Sequence, residues 1–287
     1  MKKTFLLLLV SAFMVSISAQ EEAPAPEKSK PVRFTFGTGT LIENQTVATP
    51  YKGGLEFQIH HRFSLIENID NLFGIYGAAN TRLGLNYGIT DRLMVGAGTT
   101  KDYKLQDLQW KYLILQQTED NSMPVSLSYY GNLVLDLRDQ EAFGPVERYR
   151  FIHRLSYFTQ LILARKFSEK FSFQLAPSVI YFNAVPQYSN ESSYKNLNFG
   201  VSAGGRANLF GSHSLIFEYD QLLTKQDLDE QPKPSLSLGW EIGTATHSFQ
   251  VFVTNYSNII NQYNLLYNTN DLTDWEYLVG FNITVRF

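Results

Sequence analysis

The chain has 287 residues, with 24 Lys+Arg against 27 Asp+Glu and no cysteine. Lack of cysteine excludes disulfide scaffolding and thiol chemistry, and a near-balanced charge with no basic run argues against a nucleic-acid partner. Aromatic residues are abundant (17 Tyr, 21 Phe, 3 Trp) while mean hydropathy is only −0.18, a pairing that suits a sheet with one apolar and one wet face better than a bundle of apolar helices.

Residues 1–19 carry the pattern of a cleavable export signal. Lys2 and Lys3 precede an apolar run from Phe5 to Val15 broken only by Ser11, and Ser16, Ser18 and Ala19 offer small residues for cleavage. The run is shorter than the roughly 20 residues that cross a bilayer as a helix, and no other stretch of the chain qualifies. Removing residues 1–19 would take away Lys2 and Lys3 and bring the formal net charge from −3 to −5. Residues 20–52 form the next segment. It starts Pro-rich and charged (EEAPAPEKSKPV at 21–32), then becomes Thr- and Gly-rich with little periodicity after Phe36. It reads as a linker leading to an arm, or to a plug lying inside the domain that follows.

From residue 53 to 287 the pattern is all-β. Twelve strands are expected, at roughly 53–63, 79–88, 92–100, 104–115, 124–136, 149–165, 171–185, 194–209, 213–223, 234–243, 246–256 and 276–287. Most alternate. In the first, Leu55, Phe57, Ile59 and Phe63 oppose Glu56, Gln58, His60 and Arg62. In the fourth, Leu108, Trp110, Tyr112 and Ile114 oppose Asp107, Gln109 and Lys111. In the last, Tyr277, Val279, Phe281, Ile283, Val285 and Phe287 oppose Glu276, Gly280, Asn282, Thr284 and Arg286, with Leu278 the exception. Loop lengths follow strand parity: connections after even strands are mostly short, such as 89–91, 211–212 and 244–245. Those after odd strands are mostly longer, such as 64–78, 137–147 and 257–275. Short turns at one rim and long loops at the other are the pattern of an outer-membrane barrel, with the turns on the periplasmic side. Closure of the sheet would pair every backbone group in lipid and leave no sticky edge. The fold class expected is therefore a single antiparallel transmembrane β-barrel of about twelve strands with a short N-terminal arm.

The polar faces of these strands carry the charged residues expected to line the lumen: Glu56, Arg62, Arg82, Asp107, Lys111, Asp136, Arg150, Arg154, Arg206, Glu218, Asp220 and Glu241. Two readings stand side by side. The arginines could line an anion path, or they could brace the wall against Glu56, Asp107 and Asp136. Glu218, Asp220 and Glu241 lie on neighbouring strands, with Arg206 as the leading counter-charge. A pair of close carboxylates could also serve as acid and base, but a salt-bridge network is the simpler expectation. The five histidines show no metal-ligand spacing on a shared strand face, and neither a metal nor a cofactor is expected. His213-Ser214 invites a Ser-His hydrolase reading, yet adjacent side chains at the start of a strand diverge.

Several stretches resemble a Bacteroidota family of outer-membrane β-barrels of unknown function. They are Gly53–Phe63 (GGLEFQIHHRF), Ala79–Gly98 (ANTRLGLNYGITDRLMVGAG), Leu175–Val185 (LAPSVIYFNAV), Phe199–Tyr219 (FGVSAGGRANLFGSHSLIFEY) and Gly280–Phe287 (GFNITVRF). The resemblance implies the fold and an outer-membrane location and carries no catalytic residues. A terminal aromatic strand of this type implies an assembly signal at Phe281, Ile283, Val285 and Phe287, read by barrel-assembly machinery. Periplasmic chaperones and outer-membrane lipid are the other partners expected. The leading expectation for function is a narrow channel or binding barrel for a small polar solute that the sequence does not identify. The alternatives are a non-conducting barrel that docks a partner and, less favoured, an outer-leaflet lipid hydrolase.

Overall fold

Period-two alternation is realised as twelve antiparallel strands, each bonded to its neighbours in sequence. The computed structural model describes residues 29–67, 70–186 and 193–287. The strands are β1 (Leu55–Leu65), β2 (Asn80–Gly88), β3 (Leu93–Thr100), β4 (Leu105–Leu115), β5 (Ser126–Asp136) and β6 (Leu155–Lys166). They continue as β7 (Phe171–Phe182), β8 (Leu197–Phe210), β9 (His213–Leu222), β10 (Ser235–Gly243), β11 (His247–Thr254) and β12 (Leu278–Arg286). β12 returns to pair with β1 and closes the barrel. At that seam Phe57 faces Val285, Ile59 faces Ile283 and His61 faces Phe281. The expected signal at 1–19 lies outside the described residues.

The two faces of the wall differ as the alternation requires. Leu108, Leu238 and Val251 point outward and are more than half exposed, while Gln58, Arg62, Lys111 and Glu218 point inward and are fully buried. An outward apolar belt of this size, exposed or partly exposed around the barrel, needs an apolar solvent around it. Leu278, the exception in the last strand, points inward and is buried, where it serves the interior rather than the lipid face.

One strand departs from expectation. β6 begins at Leu155 rather than near 149, because residues 140–154 form three short 3-10 turns (Gln140–Phe143, Val146–Arg148 and Phe151–Arg154). Gly144 adopts φ 106° and Pro145 follows it, and the adjacent apolar pair Phe151-Ile152 breaks the alternation needed for a wall strand.

The lumen is filled from both ends. From the short-turn rim enters the arm, residues 33–52. Near that rim Thr49 Oγ1 donates to the Asp91 carbonyl (3.0 Å), the Lys52 N–H donates to Asp91 Oδ1 (2.9 Å) and Tyr51 Oη donates to the Phe287 carbonyl (3.0 Å). Inside, the arm doubles back: Thr40 bridges Gln45, and the Leu41 N–H donates to the Asn44 carbonyl at 2.8 Å. The arm joins no strand of the barrel ladder.

From the long-loop rim the connection between β11 and β12 folds inward and carries helix α1 (Asn261–Tyr267). Gln262 Nε2 donates to Asn132 Oδ1 (2.8 Å), and Tyr263 Oη donates to Asp136 Oδ2 (3.3 Å). This loop is tied to the one before β10 by Lys233 Nζ and Asp271 Oδ2, 2.6 Å apart. Hydrogen bonds from Lys233 and Thr273 hold the Asp271 carboxyl well below the usual carboxylate range. The two inserts meet where Asn261 Nδ2 donates to Asn44 Oδ1 at 3.3 Å.

Small residues on the wall make this filling possible. A Cβ on Gly204 of β8 would lie 2.8 Å from Leu41 of the arm, and one on Gly280 of β12 would lie 2.4 Å from the Phe252 ring. A side chain at either place would overlap an atom already packed there.

Candidate functional site

Inward-facing side chains of both signs line the interior wall. Arg62 on β1, Arg82 on β2 and Lys111 on β4 occupy one side. Glu218 and Asp220 on β9, with Glu241 on β10, occupy another. Strand geometry accounts for this, because residues of equal parity share a face. Burial of so many charges is stable only where each is paired or hydrogen-bonded, and their partners show how the lumen is built.

Three pairs lie within the wall. Arg82 binds Asp107 through two hydrogen bonds, Nε to Oδ1 at 2.9 Å and Nη2 to Oδ2 at 2.6 Å. Arg206 Nε meets Glu241 Oε1 at 2.8 Å, and Arg286 Nε meets Glu56 Oε1 at 3.1 Å across the β1–β12 seam. The other central charges are met by the arm. Glu218 accepts from three successive backbone N–H groups, those of Ile42, Glu43 and Asn44, each at 2.9 Å. Consecutive N–H groups converging on one carboxylate form an anion-binding nest. Asp220 Oδ1 accepts from Asn44 Nδ2 at 2.6 Å.

On the opposite side, Arg62 Nη2 donates to Glu43 Oε2 (3.1 Å) and to the Ile42 carbonyl (3.4 Å). Its Nη1 donates to Asn282 Oδ1 (3.0 Å), and its Cζ lies 4.4 Å from the centre of the Phe252 ring. Lys111 Nζ donates to the Gly39 carbonyl (2.9 Å) and Gln45 Oε1 (3.0 Å). The arm thus turns donors toward the acids and acceptors toward the bases.

Several expected positions need correction. Arg150 and Arg154 are not on the wall: both lie in the 3-10 segment before β6, and Arg150 is exposed. Arg154 instead stacks over Phe143 and Tyr149 and donates to the backbone carbonyls of Asp136 and Arg138. Asp136 does face inward, but its partners are Arg138 (2.7 Å) and Tyr263. Arg206 compensates Glu241 alone; Glu218 and Asp220 are held by the arm. The sequence reading does not include Glu43 and Asn44 of the arm among the site residues, nor Asn282 and Arg286, which it places only on the polar face of the last strand. The Thr- and Gly-rich segment within 20–52 signals an arm or plug, but alternation cannot name which wall residues it meets.

Outward, Phe281, Ile283 and Val285 line the lipid face of β12, and Phe287 is exposed at the short-turn rim. His213 and Ser214 diverge: Ser214 is fully buried on the lumen face, whereas His213 Nδ1 accepts from Trp240 Nε1 on the outer face. Two cavities border the arm. The larger, about 670 Å³, opens at the short-turn rim between the arm and residues such as Glu56, Arg286 and Phe287. The smaller, about 10 Å³, lies between the arm tip and α1, bounded by Glu43, His60, Arg82, Asp107, Asn132 and Asn261.

A family model described as a membrane bound beta barrel domain (DUF5777) matches residues 36–287. The chain belongs to this family. The match starts at Phe36, so the family's domain includes the hairpin of the arm and begins before the first strand. Among solved structures, the NanC porin is 7% identical with a TM-score of 0.51, covering 80% of this chain and 98% of that one. An outer membrane channel from Pseudomonas putida F1 is 14% identical with a TM-score of 0.50, covering 84% and 97%. At such identities the likeness is one of fold: a porin-like barrel of the outer-membrane type. No curated protein sequence matches the chain.

Proposed function

We propose that this DUF5777 barrel is a gated passage or binding barrel for a small polar solute. Its short turns would lie in the periplasm and its long loops outside the cell. The observation that carries the reading is the nature of the filling. A hairpin outside the barrel ladder occupies a lumen rich in buried charge, and polar contacts hold its tip, while Phe36, Leu41, Ile42 and Val47 of the arm join a buried apolar cluster. Such contacts can be exchanged for contacts with water or solute at modest net cost. Withdrawal of the arm would open the periplasmic half, and movement of α1 would open the outer half.

The fill from both ends also favours a second reading, a non-conducting barrel whose loops dock a partner. The full chain in a planar bilayer separates the two. The passage reading expects a closed resting state with discrete openings that become more frequent in Glu43→Ala. A barrel that conducts nothing in either form would leave the docking reading. The divergence of His213 from Ser214 gives a hydrolase no support at that pair.

Three further parts belong to the same proposal: a cleavable signal at 1–19, a Bacteroidota host, and recognition of Phe281, Ile283, Val285 and Phe287 by assembly machinery and periplasmic chaperones. Exposure of Phe287 at the rim supports the last of these.

A further inference from the structure

The arm tip meets wall side chains of opposite charge through the backbone of a single residue. The N–H of Ile42 donates to Glu218 Oε1 at 2.9 Å. The carbonyl of the same residue accepts from Asn282 Nδ2 at 2.7 Å and Arg62 Nη2 at 3.4 Å. Standard bond lengths place the nitrogen and the carbonyl oxygen of one residue about 3 Å apart. A free α-amino acid carries its ammonium and carboxylate on that same N–Cα–C frame, with a full charge at each end.

We propose that Ile42 and its neighbours are a tethered surrogate for a zwitterion, and that the lumen binds a free α-amino acid when the arm withdraws. The ammonium would take the place of the arm's N–H groups at Glu218 and Asp220. The carboxylate would take the place of the Ile42 carbonyl and the Glu43 side chain at Arg62. This rests on the reading of the lumen as a solute path and names its solute class.

The placement of the charges, rather than their sum, selects the zwitterion over simpler solutes. Withdrawal of the arm removes the nest from Glu218 and the Asn44 amide from Asp220, and it takes Glu43 away from Arg62. An anion would restore Arg62 and leave two neighbouring carboxylates without a counter-charge, Glu218 keeping only the long hydrogen bond from Tyr256 Oη (3.5 Å). A cation would restore the carboxylates and leave Arg62 without a counter-charge. A neutral polyol could hydrogen-bond to both sides but compensate neither. Only a solute with both charges serves both walls.

A second observation points the same way: the arm does not saturate its site. Arg62 is fully buried, yet among the described residues its Nε has no hydrogen-bond partner, and neither has Nδ1 of buried His60. His60 borders the small cavity beside the tip, which is about 10 Å³, room for about one water.

The test uses the full chain in liposomes and four probes of similar size: L-alanine, sodium lactate, ethanolammonium chloride and glycerol. Alanine is expected to enter about tenfold faster than any other, a difference of about 1.4 kcal/mol. Arg62→Gln and Glu218→Gln should each bring the alanine-to-glycerol ratio down toward one. Should these variants fold poorly, a single cysteine at Leu41 of the otherwise unchanged chain gives a second reading. Alanine, and neither lactate nor ethanolammonium, should speed its labelling by an impermeant thiol reagent. Equal entry of all four probes, or preferential entry of lactate, ethanolammonium or glycerol, would overturn the zwitterion site while leaving passage intact. No entry of any probe, together with labelling indifferent to alanine, would overturn both.

Discussion

Loss of the Glu43 carboxylate should release the arm. Arg62 is fully buried, and Glu43 is the one carboxylate bonded to it among the described residues, at 3.1 Å. In Glu43→Ala the closed state would hold a buried guanidinium with no counter-charge, which costs about 3–5 kcal/mol. Three acceptors would remain, the carbonyls of Ile42 and His61 and Asn282 Oδ1, along with the face of Phe252. These keep the cost near the lower end, about 3 kcal/mol. With the arm withdrawn, Arg62 faces water and the substitution costs little. The closed-to-open equilibrium should therefore shift roughly a hundredfold. The chain has no cysteine, so a lone Cys in place of Leu41, a residue 1% exposed in the lumen, reports opening without background. Where reclosure outpaces labelling, the labelling rate follows the open population. Glu43→Ala should raise that rate about a hundredfold, and Glu43→Gln, which can still accept from Arg62, about tenfold. A rate equal to that of the reporter chain would show that the Arg62–Glu43 pair does not hold the arm.

Three further outcomes test the frame around this site. Ile283→Arg places a cation on the lipid face of β12 and should cost about 2–4 kcal/mol in refolding into bilayers if it sits near the midplane; refolding as complete as that of Ile283→Leu would contradict the outward assignment. Gly280→Ala should destabilise the barrel by about 1–3 kcal/mol, because the added Cβ would lie 2.4 Å from the Phe252 ring. Phe252→Leu should relieve part of that cost, and strict additivity of the two changes in a denaturation series would refute the contact. Single cysteines in 137–147 and at the exposed positions 273–275 should react on intact cells with an impermeant reagent while those at 89–91 and 244–245 stay protected; the reverse pattern would invert the topology.

Alternation along the strands was enough to define the wall of this protein. A period of two assigns each residue to the lipid or the lumen, and the parity of loop lengths divides the connections into a short-turn rim and a long-loop rim. The apolar stripe from Tyr277 to Phe287 and the inward set Glu56, Arg62, Arg82, Asp107, Lys111, Glu218, Asp220 and Glu241 were legible for that reason. Arg150 and Arg154 were misplaced by the same rule, which was carried past Leu155 into a segment where Gly144-Pro145 and Phe151-Ile152 had already ended the strand. Alternation says that a charge points inward. It does not say what meets it there. The tertiary structure alone showed that Glu218 is held by the nest at Ile42–Asn44, and that Arg62 is compensated by Glu43 rather than by the wall. It also showed that α1 closes the other end. The physical reason lies in sequence distance and periodicity. Glu218 and Ile42 are 176 residues apart, and the arm bonds largely through its backbone, which every residue type shares, so no side-chain pattern in residues 33–52 could mark its partner.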